Sequence, residues 1–233
     1  MSRLSANIIA GAGALGLAVA LVGGASTSLA AETAIPAPAP LVTAPATQTR
    51  ETAVFAGGCF WGVQGVFQHV KGVTGAVSGY TGGSAADARY ERVSYGDTGH
   101  AEAVRVTFDP RVVGYADLLR IYFSVVADPT RADGQGPDIG PQYRSALFPV
   151  DARQKRIAEA YLTQLGKSGL WDRPIVTRIE RAQAFYPAEG HHQDYLTRNP
   201  NAPYIRINDL PKLTALKQLY PLSWRERPVL VRG

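Results

Sequence analysis

From Ala101 to Phe108 the chain alternates, with Val104, Val106 and Phe108 apolar and Arg105 and Thr107 polar between them. A period of two marks a strand with one buried face, and Val73 to Tyr80 is a second strand candidate. Thr52 to Ala56 is a short apolar run stopped by Gly57 and Gly58; Arg144 to Phe148 and Pro174 to Ile179 are further strand candidates. Elsewhere the spacing is helical. Cys59 to His69 puts Val63, Val66, Phe67 and Val70 on one face, and Tyr115 to Val126 does the same with Leu118, Leu119, Tyr122, Val125 and Val126. Ala152 to Gly166 gives an amphipathic helix through Ile157, Tyr161, Leu162 and Leu165. His192 to Thr197 and Leu213 to Leu219 predict shorter helices. Strands and helices mix without strict alternation, so the expected fold is α+β, one domain with a central mixed sheet and packed helices.

The ends of the chain read differently. Residues 1–30 carry one early cation, Arg3, an apolar stretch from about Ile8 to Val22, and the small-residue end Ser28-Leu29-Ala30. That is the pattern of a cleaved signal peptide, and it predicts an exported, periplasmic protein, with an uncleaved membrane anchor as the alternative. Residues 31–50 are rich in Pro, Ala and Thr, which predicts a loose tether before a domain at 51–233. The 233 residues carry a formal charge of +5 with no dense Lys/Arg run, so no nucleic-acid footprint is present. A monomer is expected.

The chemistry gathers around one thiol. Cys59, the only cysteine of the chain, lies in GGCFWG between Gly58 and the rings of Phe60 and Trp61. At the start of a helix, unpaired N–H groups and the helix dipole favour a negative sulfur, so a reactive thiolate with a depressed pKa is expected, with glycines that let another molecule approach. A buried, inert thiol with core rings fits the same six residues. Four histidines (His69, His100, His191, His192) show no metal-ligand spacing with the cysteine, so no metal is expected.

Further along, SGYTGG, YERVSYGDTGHAEAV, DPT, QGPDIGPQYRSA and AEGHHQDYL join GCFWG in one series. In that order they resemble the motifs of the A-type peptide methionine sulfoxide reductases, which act on the S epimer, over about Ala53 to Tyr204. The resemblance implies a ferredoxin-like two-layer core, long irregular loops, no bound cofactor and repair of oxidised proteins. It implies Cys59 as the nucleophile on the sulfoxide sulfur, Glu102 as proton donor, and Tyr90 and Tyr143 as phenols that hydrogen-bond the oxygen. Asp138 would line the site, and Phe60 and Trp61 would contact the substrate methyl. His100 would brace the loop that aims Glu102, with His192 and Gly58 in support.

Three departures from the family pattern stand out. His191 replaces a common tyrosine, Ala127 a frequent histidine, and Ile205 the cysteine of a common PYC. Without a second cysteine the oxidised Cys59 needs an external thiol, a thioredoxin-like protein or a small thiol. Two other classes fit parts of the pattern. A cysteine hydrolase would use His100 or His192 as base but has no need of Tyr90 and Glu102. A non-catalytic binding module would have no reason to keep Cys59 and Glu102.

Overall fold

A computed structural model describes residues 34–231; the segment read as a signal peptide lies outside the described residues up to Thr33. The alternating runs become the middle of a six-stranded sheet. β1 (Glu51–Ala56) pairs antiparallel with β3 (Ala101–Phe108), which pairs antiparallel with β2 (Val73–Thr81). Between β1 and β2 the chain forms α1 (Phe60–Gln68), and before β3 it forms one short helical turn, α2 (Tyr90–Val93). α3 (Tyr115–Ile121) continues into a π-helical turn through Val126.

A small hairpin of β4 (Gly134–Gln135) and β5 (Asp138–Ile139) follows, then β6 (Ala146–Phe148), α4 (Ala152–Gly166), β7 (Arg178–Ile179) and β8 (Phe185–Pro187). The chain ends in α5 (Tyr195–Arg198) and α6 (Leu210–Leu219). The sheet order is β7-β6-β1-β3-β2-β8, antiparallel except for β6 with β7, so it is mixed as expected.

Side-chain alternation sorts the two faces. Ala53, Phe55, Val104, Val106 and Phe108 join the main core with α1, α3 and α4, while Val54, Ala56, Ala101, Ala103, Ala146 and Phe148 form a smaller cluster on the other face. Val63, Val66, Phe67 and Val70 are all fully buried, so the spacing of α1 gave its inward face. Pro174 to Ile179 yields only a two-residue strand. The helix expected over His192 to Thr197 is broken at Asp194, whose φ of 56° is left-handed.

The stretch expected to be a loose tether is a strap over the part described. The N–H groups of Ile35 and Ala37 donate to Ser124, and that of Leu41 to Gln164 Oε1. Arg120 donates to the Ala37 carbonyl, Tyr161 to that of Pro38 and Gln164 to that of Ala39. Prolines supply no N–H, but their carbonyls are good acceptors, so a Pro/Ala-rich strand can be held by donors that α3 and α4 provide. Composition measures what a segment buries by itself and misses what its neighbours offer it.

The C-terminal segment is packed as well. Ile205 is fully buried in a π-helical turn that leads into α6, and Leu216 of α6 is buried in the main core. Beyond it, Arg225 and Val229 donate backbone hydrogen bonds to His69 and Gln68, and Trp224 stacks on His69 at 4.6 Å. Among the described residues no helix is long and apolar enough to cross a membrane.

Candidate active site

β1 ends at Ala56, the chain turns through Gly57 and Gly58, and Cys59 becomes the N-cap of α1. Gly58 has a φ of 84°, and a Cβ there would press into Gln135; one on Gly57 would meet Tyr122 and Ala127. The glycine collar therefore makes room for the protein's own side chains.

Glu102 arrives from β3. It shares a strand face with Val104, Val106 and Phe108, so alternation places a carboxyl on the apolar side of the sheet. The residue is 2 % exposed, and its Oε2 accepts the Phe60 N–H at 3.0 Å. Burial pushes its pKa up to about 8, the Phe60 hydrogen bond opposing and the Asp138 and Glu189 charges adding. At neutral pH Glu102 is a protonated acid, held at the mouth of the helix that carries the thiol.

Tyr90 begins α2, its N–H donating to Glu189 Oε1 at 2.9 Å, and Tyr143 ends a helical turn at 141–143. Burial, and behind it the Glu102 charge, raises both phenols, so both stay protonated donors. Each lies within electrostatic reach of Cys59, Glu102 and Asp138. The five residues assigned by resemblance to catalysis thus converge from three stretches of chain, around Cys59, from Tyr90 to Glu102 and from Asp138 to Tyr143.

The surroundings of Cys59 oppose the depressed thiol pKa expected for it. Burial pushes the Cys59 thiol well above its ordinary value, and Glu102 and Asp209 push it further, against one hydrogen bond from the Trp61 N–H. The reason lies in the first turn of α1, where the dipole was expected to act. Glu102 takes the Phe60 N–H, and Asp209 sits so close to Gly62 that any side chain there would collide with its carboxylate. Carboxyl groups occupy the helix terminus that would otherwise favour a negative sulfur.

Phe60 and Trp61 separate in role. Phe60 is fully buried, its ring 5.8 Å from Tyr80 and 5.3 Å from His192, so it backs the site instead of lining an open pocket. Trp61 is only partly buried. It stacks on Tyr195 at 3.8 Å, and its indole N–H donates to His192 Nδ1 at 3.2 Å. His192 is buried, which lowers its pKa, and its ring lies 4.5 Å from that of Tyr90. It therefore orients Trp61 and packs on Tyr90.

His100 joins two segments through its ring. Its Nδ1 accepts the Gly83 N–H at 3.2 Å and its Nε2 donates to the Ser84 carbonyl at 2.9 Å, which fixes the tautomer and ties the SGYTGG turn to the start of β3. Asp138 faces a small cleft with Cys59, Gln135, Gly136, Pro137, Tyr204, Asn208 and Lys212, where the Tyr204 hydroxyl donates to its carboxylate. Burial raises Asp138, against the Tyr204 hydrogen bond and the Lys212 charge.

Tyr204, Asp209 and Lys212 were missed in the sequence. Tyr204 adjoins Ile205, the position of the missing cysteine, and that departure is the one signal in the sequence that marks its neighbourhood. Glu189, which accepts from Tyr80 as well as Tyr90, lies inside the AEGHHQDYL run. Among the described residues no group of three or more His, Cys, Asp or Glu is placed to hold a metal.

The peptide methionine sulfoxide reductase family matches residues 51–222, which takes in both Cys59 and α6. The chain belongs to this family. It is 61% identical over 181 residues to the peptide methionine sulfoxide reductase MsrA 2 of Mesorhizobium japonicum, covering 78% of this chain and 93% of the relative. It is 48% identical over 170 residues to the MsrA of Thermus thermophilus, with 73% and 95% covered. Among solved structures, the reduced form of Mxr1 from Saccharomyces cerevisiae superposes with a TM-score of 0.56 at 30% identity, covering 75% of this chain and 94% of that one. Methionine sulfoxide reductase A of Corynebacterium diphtheriae gives 0.54, also at 30%, with 71% and 83% covered. The α+β layout and mixed sheet of this reductase are those expected from its strand and helix periods.

Proposed function

We propose that this enzyme reduces methionine S-sulfoxide to methionine with Cys59 as nucleophile, Glu102 as acid, and Tyr90 and Tyr143 as donors to the leaving oxygen. The observation that carries the assignment is the buried Glu102 carboxyl, which accepts the Phe60 N–H at 3.0 Å at the helix terminus where Cys59 is the cap. A sulfoxide has a positive sulfur and a negative oxygen. The Cys59 sulfur attacks the first while Glu102 protonates the second, and the two phenols stabilise charge on the oxygen as the bond breaks. Attack forms an S–S bond, and the oxygen leaves as water carrying the Glu102 and thiol protons. Water then adds to the Cys59 sulfur as the S–S bond breaks and returns a proton to Glu102. The net products are methionine and Cys59 sulfenic acid.

A thiol that is neutral at rest suits this sequence of events. The bound sulfoxide supplies the positive charge that the resting site lacks, and the thiol proton is released only as the new bond forms.

With a single cysteine in the chain, no internal disulfide can follow. One external thiol attacks the sulfenic acid, releasing water and leaving a mixed disulfide; a second thiol displaces Cys59 and departs as the oxidised pair. A thioredoxin-like protein or a small thiol fills this part, and the substrate is methionine sulfoxide, free or in oxidised proteins. Asp138, bonded to Tyr204 on the rim, holds the polar side of the site, and Trp61 shapes the apolar side.

The test of epimer choice uses resolved sulfoxides: the S form is consumed and the R form persists. Equal consumption of both would contradict the assignment. The signal-like pattern of residues 1–30 supports export to the periplasm. N-terminal sequencing of protein from a periplasmic extract should begin at Ala31, and a cytoplasmic chain beginning at Met1 would refute it.

A further inference from the structure

His192 and Tyr195 hold Trp61 between them, one accepting its indole N–H at 3.2 Å and the other stacked on its ring at 3.8 Å. Only Gln193 and Asp194 separate them, so the chain must turn sharply between the two contacts. It turns at Asp194, with φ 56° and ψ 24°, the one non-glycine residue at positive φ among the described residues. An L side chain adopts that conformation at a cost and keeps it only where its surroundings hold it.

The hold comes from two directions. Asp194 is buried, and its N–H donates to Gln64 Oε1 at 2.9 Å. Its Oδ1 accepts from Gln68 Nε2 at 2.7 Å and from the Val231 N–H at 3.1 Å, and its Oδ2 lies 3.6 Å from Arg198. Gln193 uses its whole amide: Oε1 accepts from Gln64 and from the Ser78 N–H, and Nε2 donates to the carbonyls of Ser78 and Ala188. Gln64 and Gln68 belong to α1, so the turn is fastened to the helix that carries Trp61 and is capped by Cys59. Val231 belongs to the C-terminal tail. That tail is itself fixed to the far end of α1 by the N–H groups of Arg225 and Val229, which donate to the carbonyls of His69 and Gln68.

We propose that Asp194 is a positioning residue for the reaction, and that the cysteine-free C-terminal tail works with Gln64 and Gln68 as its clamp, holding the left-handed turn that seats Trp61. The proposal rests on Trp61 forming the apolar side of the sulfoxide site and adds what fixes it there. Contact with a group as small as a methyl falls off steeply with distance, so a wall that drifts by a fraction of an ångström loses its grip. A tail without cysteine takes no part in thiol exchange, and here its backbone completes the support of the site.

The test pairs a spectroscopic signal with kinetics on the full-length protein. With fluorinated tryptophan incorporated, the fluorine NMR signal of Trp61 is assigned by its absence from Trp61→Phe; that of Trp171, which lines a separate cleft with Phe123 and Arg131, is the internal control. Asp194→Ala removes both carboxylate oxygens, so the Trp61 signal should shift or broaden while the Trp171 signal stays. KM for methionine S-sulfoxide, with a small dithiol in excess, should rise about tenfold, the upper worth of one aromatic contact, and kcat should change less than about twofold. Asp194→Asn keeps an acceptor oxygen and tolerates positive φ, so it should restore both readouts. Val231→Pro deletes only the tail's N–H and should raise KM about threefold, in keeping with one hydrogen bond.

The proposal is wrong if KM or the Trp61 signal of Asp194→Ala stays at wild type, if the Trp171 signal moves as well, or if Asp194→Asn behaves like the alanine variant. Wild-type values in Val231→Pro overturn the part given to the tail. Should Asp194→Ala fail to fold, Val231→Pro decides alone: a displaced Trp61 signal with raised KM supports the clamp, and wild-type values overturn it. The fluorine signal needs no sulfoxide, so a loose seat for Trp61 is told apart from a failure of the assigned catalysis.

Discussion

Glu102→Gln is expected to slow the first turnover by roughly 10²–10⁴-fold, the usual worth of a positioned general acid. The glutamine amide can still face the Phe60 N–H with its oxygen, and it fills almost the same volume on the apolar face of β3, so the fold should survive. What it lacks is the proton. The loss should itself depend on pH, because Glu102 has a raised pKa of about 8 and its proton is present below that value and lost above it. The advantage of wild type over the variant is therefore full at pH 6 to 7 and shrinks as pH rises through 8. A parallel sign holds for stability. Ionising a buried carboxyl is costly, so wild type loses stability as pH rises from about 4.5 to about 8, the loss being complete above that, and the variant does not. Rapid-quench assays of methionine formed, with enzyme in excess and no reductant, measure the first effect. A wild-type to variant ratio that stays near one, or that does not change with pH, would remove Glu102 from its role.

The second large effect concerns the reductant. Without an added thiol the enzyme should form one methionine per chain and then stop, because Ile205 stands where a second cysteine would be and the segment around it is packed in the core. Adding a small dithiol or a reduced thioredoxin-like protein should restore continuous turnover, each methionine matched by one disulfide. The ratio of methionine to enzyme, followed over hours, distinguishes the outcomes. Several equivalents of methionine with no thiol present would mean that another group in the chain supplies the electrons.

How much of this was legible in the sequence depends on what each residue answers to. β3 and α4 appear at their expected bounds because their partners act on whole faces, and one face repeats at a fixed period. The same alternation carried Glu102 to the apolar side, where burial is the largest cause of its raised pKa. Pro174 to Ile179 has the composition of a strand but pairs over only two residues, since β-propensity depends on the neighbour that is offered.

The errors share one physical source. The glycines beside Cys59, the strap at 34–41 and the charge on the sulfur were all judged from local sequence, and each is decided by a distant stretch. Gln135 fills the space at Gly58, donors on α3 and α4 hold the strap, and Asp209 reaches the first turn of α1 from near the C-terminus. Motif spacing brought out Cys59, Glu102, Tyr90, Tyr143 and Asp138 together. It was silent on Tyr204, Asp209 and Lys212, which lie on a helical segment whose packing no local period announces.

The most direct measurement is the mass of the peptide containing Cys59 after one equivalent of methionine S-sulfoxide, without reductant and with a sulfenic-acid trapping reagent present. The account predicts one trapped adduct on Cys59 for each methionine released. Methionine released while Cys59 remains an unmodified thiol would contradict it.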